Sequence, residues 1–197
     1  MEEVQLKELL VQSLVHEEGG VQVYEAALEC AINEDLREEW QEYLEQTQKH
    51  VQILSQVCEK MGIELDRSTP GCRVVQHLGA ALVRAIEMAR DAGAPEAAQL
   101  VACECVVLAE TKDHADWELL TKCAEELKGE RGEALESAVE EVEDEEDEHL
   151  YHTKGWCREL WLESLGMKSV LPPPEERKDV KTAIGAARAE QARDRMR

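Results

Sequence analysis

One acidic stretch, Glu143-Asp144-Glu145-Glu146-Asp147-Glu148-His149-Leu150-Tyr151-His152, constrains the fold of this chain more than any other. Wound as a helix, the residues around it place Leu135, Val139, Val142, Glu146, His149, Thr153, Trp156 and Leu160 on one face, in steps of three or four. Glu146 and His149 are therefore expected to point into an interior. A carboxylate buried between Val142 and His149 costs several kcal/mol unless it is paired, hydrogen-bonded or bound to a cation. Glu-x-x-His on one helix face also has the spacing of a two-ligand metal half-site, because residues three apart stand side by side. The competing reading is a solvated acidic run with a single core histidine. The rest of the chain has to decide between them.

Phe is absent, and the apolar content is carried by Ala, Val and Leu with four Trp. Helix formers dominate, interrupted by only five Pro and eleven Gly, so an all-α fold is expected. The formal charge of -22 argues against nucleic acid as a partner, since binding phosphates needs clustered Lys and Arg. It suits a chain that repels its own copies or concentrates cations at its surface. The seven cysteines form no Cys-x-x-Cys pair, and Cys103 and Cys105 lie on different helix faces. They read as small buried residues in a reducing compartment. The N-terminus is acidic, and no apolar run approaches the roughly 18 to 20 residues needed to span a bilayer, so no membrane partner and a cytoplasmic location are expected.

From Val4 to about Asn33, the stripe Leu6, Leu10, Ser13, Glu17, Val21, Tyr24, Leu28 and Ala31 predicts one long amphipathic helix. Gly19-Gly20 inside it suggests a close backbone approach or a local adjustment near Glu17. After the turn Asn33-Glu34-Asp35, which supplies a helix-capping candidate, a second helix from Leu36 carries Leu36, Trp40, Tyr43, Thr47, His50 or Val51, Leu54 and Val57 inward and ends near Gly62. The short connection makes these two helices antiparallel neighbours. Ser68-Thr69-Pro70-Gly71 is a turn, and a shorter helix over about 72–92 is expected to cross from one helix pair to the next. A fourth helix from Pro95 to about Lys128 carries Leu100, Cys103, Val107, Glu110, His114, Trp117 and Leu120, and a fifth runs from Glu133 to about Leu165.

The two pairs share a design. Each first helix has a Glu followed seven residues later by an aromatic (Glu17/Tyr24, Glu110/Trp117). Each second helix has a His three residues after a potential ligand position (Thr47/His50, Glu146/His149). Pro172-Pro173-Pro174 then breaks the chain. The segment from Glu175 holds seven basic against five acidic residues, a net of +2. It is expected to be a peripheral helix or a disordered end, and dispensable for the core because it offers few apolar groups.

This arrangement resembles the ferritin-like superfamily, the bacterioferritin- and rubrerythrin-like di-iron carboxylate four-helix bundles, whose sites combine two single Glu with two Glu-x-x-His motifs. The resemblance covers about residues 1–165. It implies an antiparallel four-helix bundle with an extra crossover helix over residues 1–170, followed by the charged tail at 171–197. Carried over residue by residue, it implies Glu17, His50, Glu110, Glu146 and His149 as metal ligands, and iron or manganese as the cofactor, one or two ions per chain. Thr47 stands where the family's second bridging Glu would be, which leaves mononuclear, asymmetric and vestigial sites open. His16, His114 and His152 are near enough in sequence to join the site or support it. The function implied is non-haem metal binding with redox or metal-handling chemistry, oxidase or oxidoreductase-like. The alternative is a metal-free structural or interaction protein on a degenerate bundle, and either form is compatible with a homo-oligomer.

Overall fold

The computed structural model describes residues 1–196. Among them the regular structure is entirely helical: α1 (Glu3–Leu28), α2 (Glu34–Lys60), α3 (Pro70–Asp91), α4 (Pro95–Glu126), α5 (Glu130–Ser164), α6 (Pro174–Arg177) and α7 (Ala183–Arg193). Local chemistry sets the boundaries. Asn33 Oδ1 accepts from the Leu36 amide at 3.0 Å and starts α2. Gly62, at φ 67°, ends it, with Ile63 N–H bonded back to Cys58 O at 2.9 Å. Thr69 caps α3 through the Cys72 amide, with Pro70 in the first turn.

Helices α1, α2, α5 and α4 close a ring in which each packs on the next. Ring neighbours run antiparallel: Arg37 near the start of α2 reaches the Leu28 carbonyl at the end of α1, and Trp156 late in α5 reaches Glu39 early in α2. Helix α3 lies outside, against α1 and α4. Thr69 before it meets Glu8, and Arg90 near its end meets Glu29, so it runs parallel to α1 and returns the chain to the end where α4 begins. Gly19 faces Gly79, where a β-carbon on either would lie 3.6–3.8 Å from the other's Cα. That close crossing accounts for the glycine inside α1. None of the helices is long and apolar enough to cross a membrane.

The core is divided. One apolar cluster contains Val23, Tyr24, Ala27, Leu36, Trp40, Tyr43, Cys103, Val106, Ala109, Trp156 and Leu160. A second contains Leu6, Leu10, Leu14, Leu54, Val57, Trp117, Leu120, Leu135, Val139 and Val142. On each of the four ring helices the change from one cluster to the other falls at a buried polar position: Glu17, His50, Glu110 and Glu146. A polar layer thus crosses the middle of the bundle.

The tail is not isolated from the body. Gly155 of α5 leaves room for Pro173 and Glu175, since a β-carbon there would come within 2.9 Å of Glu175 Oε2. Arg158 grips the Glu175 carboxylate through both terminal nitrogens at 2.7 and 3.0 Å, and Arg193 of α7 reaches Glu159 at 3.2 Å. The Val180 amide donates to His152 Nε2 at 3.2 Å. The segment offers few large apolar groups, Val180 and Ala189 being the buried ones beyond Glu175, and it is held mainly by buried ion pairs. The segment is thus a peripheral helical element docked on α5, one of the two forms its composition allowed.

Candidate metal centre

Glu17, His50, Glu110, Glu146 and His149 meet in the polar layer, each at most 2% exposed. They form two overlapping groups, Glu17/His50/Glu146 and Glu110/Glu146/His149, within each of which one donor atom per residue lies within 4.8 Å of the others. Glu146 is common to both. Its Oε1 is 3.0 Å from His50 Nδ1 and 3.7 Å from His149 Nδ1. His50 Nδ1 is also 3.6 Å from Glu17 Oε1, and His149 Nδ1 is 3.6 Å from Glu110 Oε2. The imidazoles stack at 5.7 Å between centroids.

The outer contacts orient these side chains. His50 Nε2 meets Glu145 Oε2 at 2.8 Å, and His149 Nε2 meets Gln46 Oε1 at 2.7 Å. A carboxylate and an amide oxygen are acceptors, so each Nε2 carries a proton and each Nδ1 faces the centre, where it offers a lone pair once its own proton has left. Trp117 Nε1 donates to Glu17 Oε1 at 2.8 Å. The Tyr43 ring lies 4.2 Å from that of His149, and its hydroxyl donates to Glu39 at 2.7 Å.

On the inner side, partners are missing. Glu17 Oε2, His50 Nδ1, Glu110 Oε2, both oxygens of Glu146 and His149 Nδ1 are buried without a hydrogen-bond partner. Titration reflects the crowding. Burial, followed by the Glu17 and Glu110 carboxylates, pushes Glu146 up to about 7 against the pull of His50. Burial alone would lower both imidazoles, but Glu145, Glu146 and Glu17 around His50, and Glu110 and Glu146 around His149, outweigh it and leave both raised. Burial and then Glu110 raise Tyr24. Without a cation, protons are what neutralise this layer.

Asp113 is buried close to this layer but outside the two groups, off the α4 stripe of Glu110, His114 and Trp117. It is 4% exposed, and its Oδ1 has no hydrogen-bond partner. Burial and then the Glu146, Glu17 and Glu110 carboxylates raise it well above the usual aspartate range. The signal was present as Glu110-x-x-Asp113, the same three-residue spacing found on α5. Thr47 takes no ligand role: its hydroxyl donates to the Tyr43 carbonyl at 2.8 Å, and its methyl packs over Gly20. The three histidines that the sequence offered as additional ligands lie outside the two groups. His16 meets the Ala109 carbonyl at 3.0 Å, His114 meets Asp147 at 2.6 Å, and His152 meets the Tyr43 hydroxyl at 3.1 Å.

No protein-family model matches the chain, and neither the curated proteins nor the solved structures compared with it match. The chemistry of the site therefore rests on its own geometry. Three carboxylates and two imidazoles suit hard or borderline cations such as ferrous iron and manganese, which take mixed oxygen and nitrogen ligands.

Proposed function

We propose that the chain is a ferritin-like bundle whose polar layer is a non-haem metal centre for iron or manganese. Glu17 and His50 hold one position, Glu110 and His149 the other, and Glu146 lies between them. The observation that carries this reading is the set of inward-facing, partnerless donor atoms on histidines whose opposite nitrogens are already held by acceptors. Asp113 adds a carboxylate on α4 and offsets the charge absent at Thr47 on α2. A bound iron ion would supply one-electron redox chemistry. The protein's part is to hold the imidazole tautomers through Gln46 and Glu145, fix Glu17 through Trp117, and exclude bulk water with the apolar clusters above and below.

A metal-free interaction protein is the second reading, favoured by the satisfied Thr47 hydroxyl and by the protons that Glu146 and the imidazoles take up. Anaerobic titration with ferrous or manganous ions, followed by elemental analysis and thermal melting, separates the two. Retained metal and a raised melting temperature are expected, since binding confined to the native state must stabilise it. No retained metal with an unchanged melt would leave the interaction protein.

A further inference from the structure

A cavity of about 220 Å³ opens between α4 and α5 against the polar layer. Its walls include His114, Trp117, Glu118, Glu143, Glu146 and Asp147. Ala183, the first residue of α7, closes one side, so the tail forms part of the rim. The lining grades from surface to centre. Glu118 and Glu143 are exposed, Asp147 is half-buried and held by His114, and Glu146 is 2% exposed with both oxygens partnerless. Trp117 lies on the cavity wall and donates to Glu17, so the cavity borders the centre at Glu146 and reaches Glu17 through Trp117.

We infer that this cavity is the route by which a divalent cation reaches the centre, with Glu118, Glu143 and Asp147 as an outer transit cluster and Glu146 receiving the ion. The inference rests on the metal-centre reading and adds how the site is reached. The volume has room for several waters, so an ion can move inward with part of its hydration shell. A cleft lined by one sign of charge focuses the field and raises the local cation concentration. The outer carboxylates are too exposed to hold an ion tightly, which suits transit rather than storage. Glu146, whose oxygens make no aligned hydrogen bond, gains a fully charged partner only if the ion continues inward.

Stopped-flow mixing with anaerobic ferrous or manganous ions tests the route, read by quenching of tryptophan fluorescence because Trp117 sits on the path. Neutralising the outer cluster (Glu118→Gln, Glu143→Gln, Asp147→Asn) is expected to slow loading about five- to tenfold at low ionic strength, with the final metal content unchanged and the difference shrinking as salt is added. Ala183→Trp, which narrows the rim without altering charge, is expected to slow loading at every ionic strength. Neutralising three exposed carboxylates on α2 (Glu38, Glu42 and Glu45) is expected to leave the rate unchanged, which separates a local route from the overall negative charge. Loading at the native rate in both the neutralised and the Ala183→Trp variants would overturn the route while leaving the centre in place. Lower final metal content in the neutralised variant would overturn transit by making those residues ligands. A native protein that retains no metal would remove the centre and the route together.

Discussion

Helix α5 carries two buried acidic clusters, one centred on Glu146 and one on Glu159, and they are satisfied in opposite ways. Glu159 is fully buried, and the protein surrounds it with Arg158 Nε at 2.8 Å, Arg193 at 3.2 Å and the Val170 amide at 2.9 Å. Glu175, 3% exposed, is gripped by Arg158 through two bonds. These are protein-made ion pairs whose task is to fasten the tail. Among the described residues, the ion pairs that reach Glu17, Glu110 and Glu146 come from imidazoles whose inward nitrogens find no aligned acceptor. Burial of a carboxylate therefore does not itself announce a ligand. What separates the two clusters is whether the protein supplies the compensating charge.

The largest expected effect would break the structural cluster. Arg158→Ala strands Glu175 and Glu159 and should destabilise the fold by about 3 kcal/mol, the low end for a broken buried pair because Arg158 is partly exposed. Chemical denaturation should show it, and removing the chain after Leu171 should also cost stability. In the centre the sign is reversed. Glu146→Gln in metal-free protein should be neutral or slightly stabilising, since it removes an uncompensated charge. It should also abolish the metal-induced stabilisation, about 2.7 kcal/mol for native protein at a metal concentration 100 times Kd, a gain read in thermal melts.

The pH dependence of metal-free protein sharpens the contrast. The folded centre binds protons more tightly than the unfolded chain, because Glu146 rises from 4.5 to about 7 and Asp113, His50 and His149 are also raised. Stability should therefore fall as pH rises from about 4.5 through 7, by about 3 kcal/mol from Glu146 alone, as those protons leave. Metal should reverse the trend, because its ligands must be deprotonated and its stabilisation grows with pH. Melts at several pH values, with and without manganous ion, would show both slopes. The smallest effect is expected from Thr47→Glu, which adds a carboxylate in the space opposite Gly20. It should cost about 1 kcal/mol in metal-free protein and increase the metal retained after loading. An unchanged metal content would mean that Asp113 already supplies the charge.

Helical periodicity and turn residues in the sequence were enough to locate the five long helices, the α3 crossover and the inward positions of Glu17, His50, Glu110, Glu146 and His149, because a 3.6-residue repeat places side chains on a face by local geometry. Asp113 escaped because one helix face is wide enough to admit a second stripe beside the first, and only packing against α1 and α5 shows which polar residues fall inside it. His16, His114 and His152 had comparable positions in the sequence, yet carbonyl, aspartate and tyrosine partners claim them in the fold. The tail was legible only in part: its charge and few apolar residues were plain and a peripheral helix was among the expectations, but its partners, Arg158 and Glu159 on α5, lie 17 and 34 residues from Glu175 and Arg193 along the chain and become neighbours only in the fold. Sequence by itself thus determined which elements form and which way each face turns, since those follow from interactions within a few residues. Which buried charges meet a partner, and which are left facing an empty centre, was decided by the tertiary structure, because compensation depends on groups that only packing brings within a few ångströms.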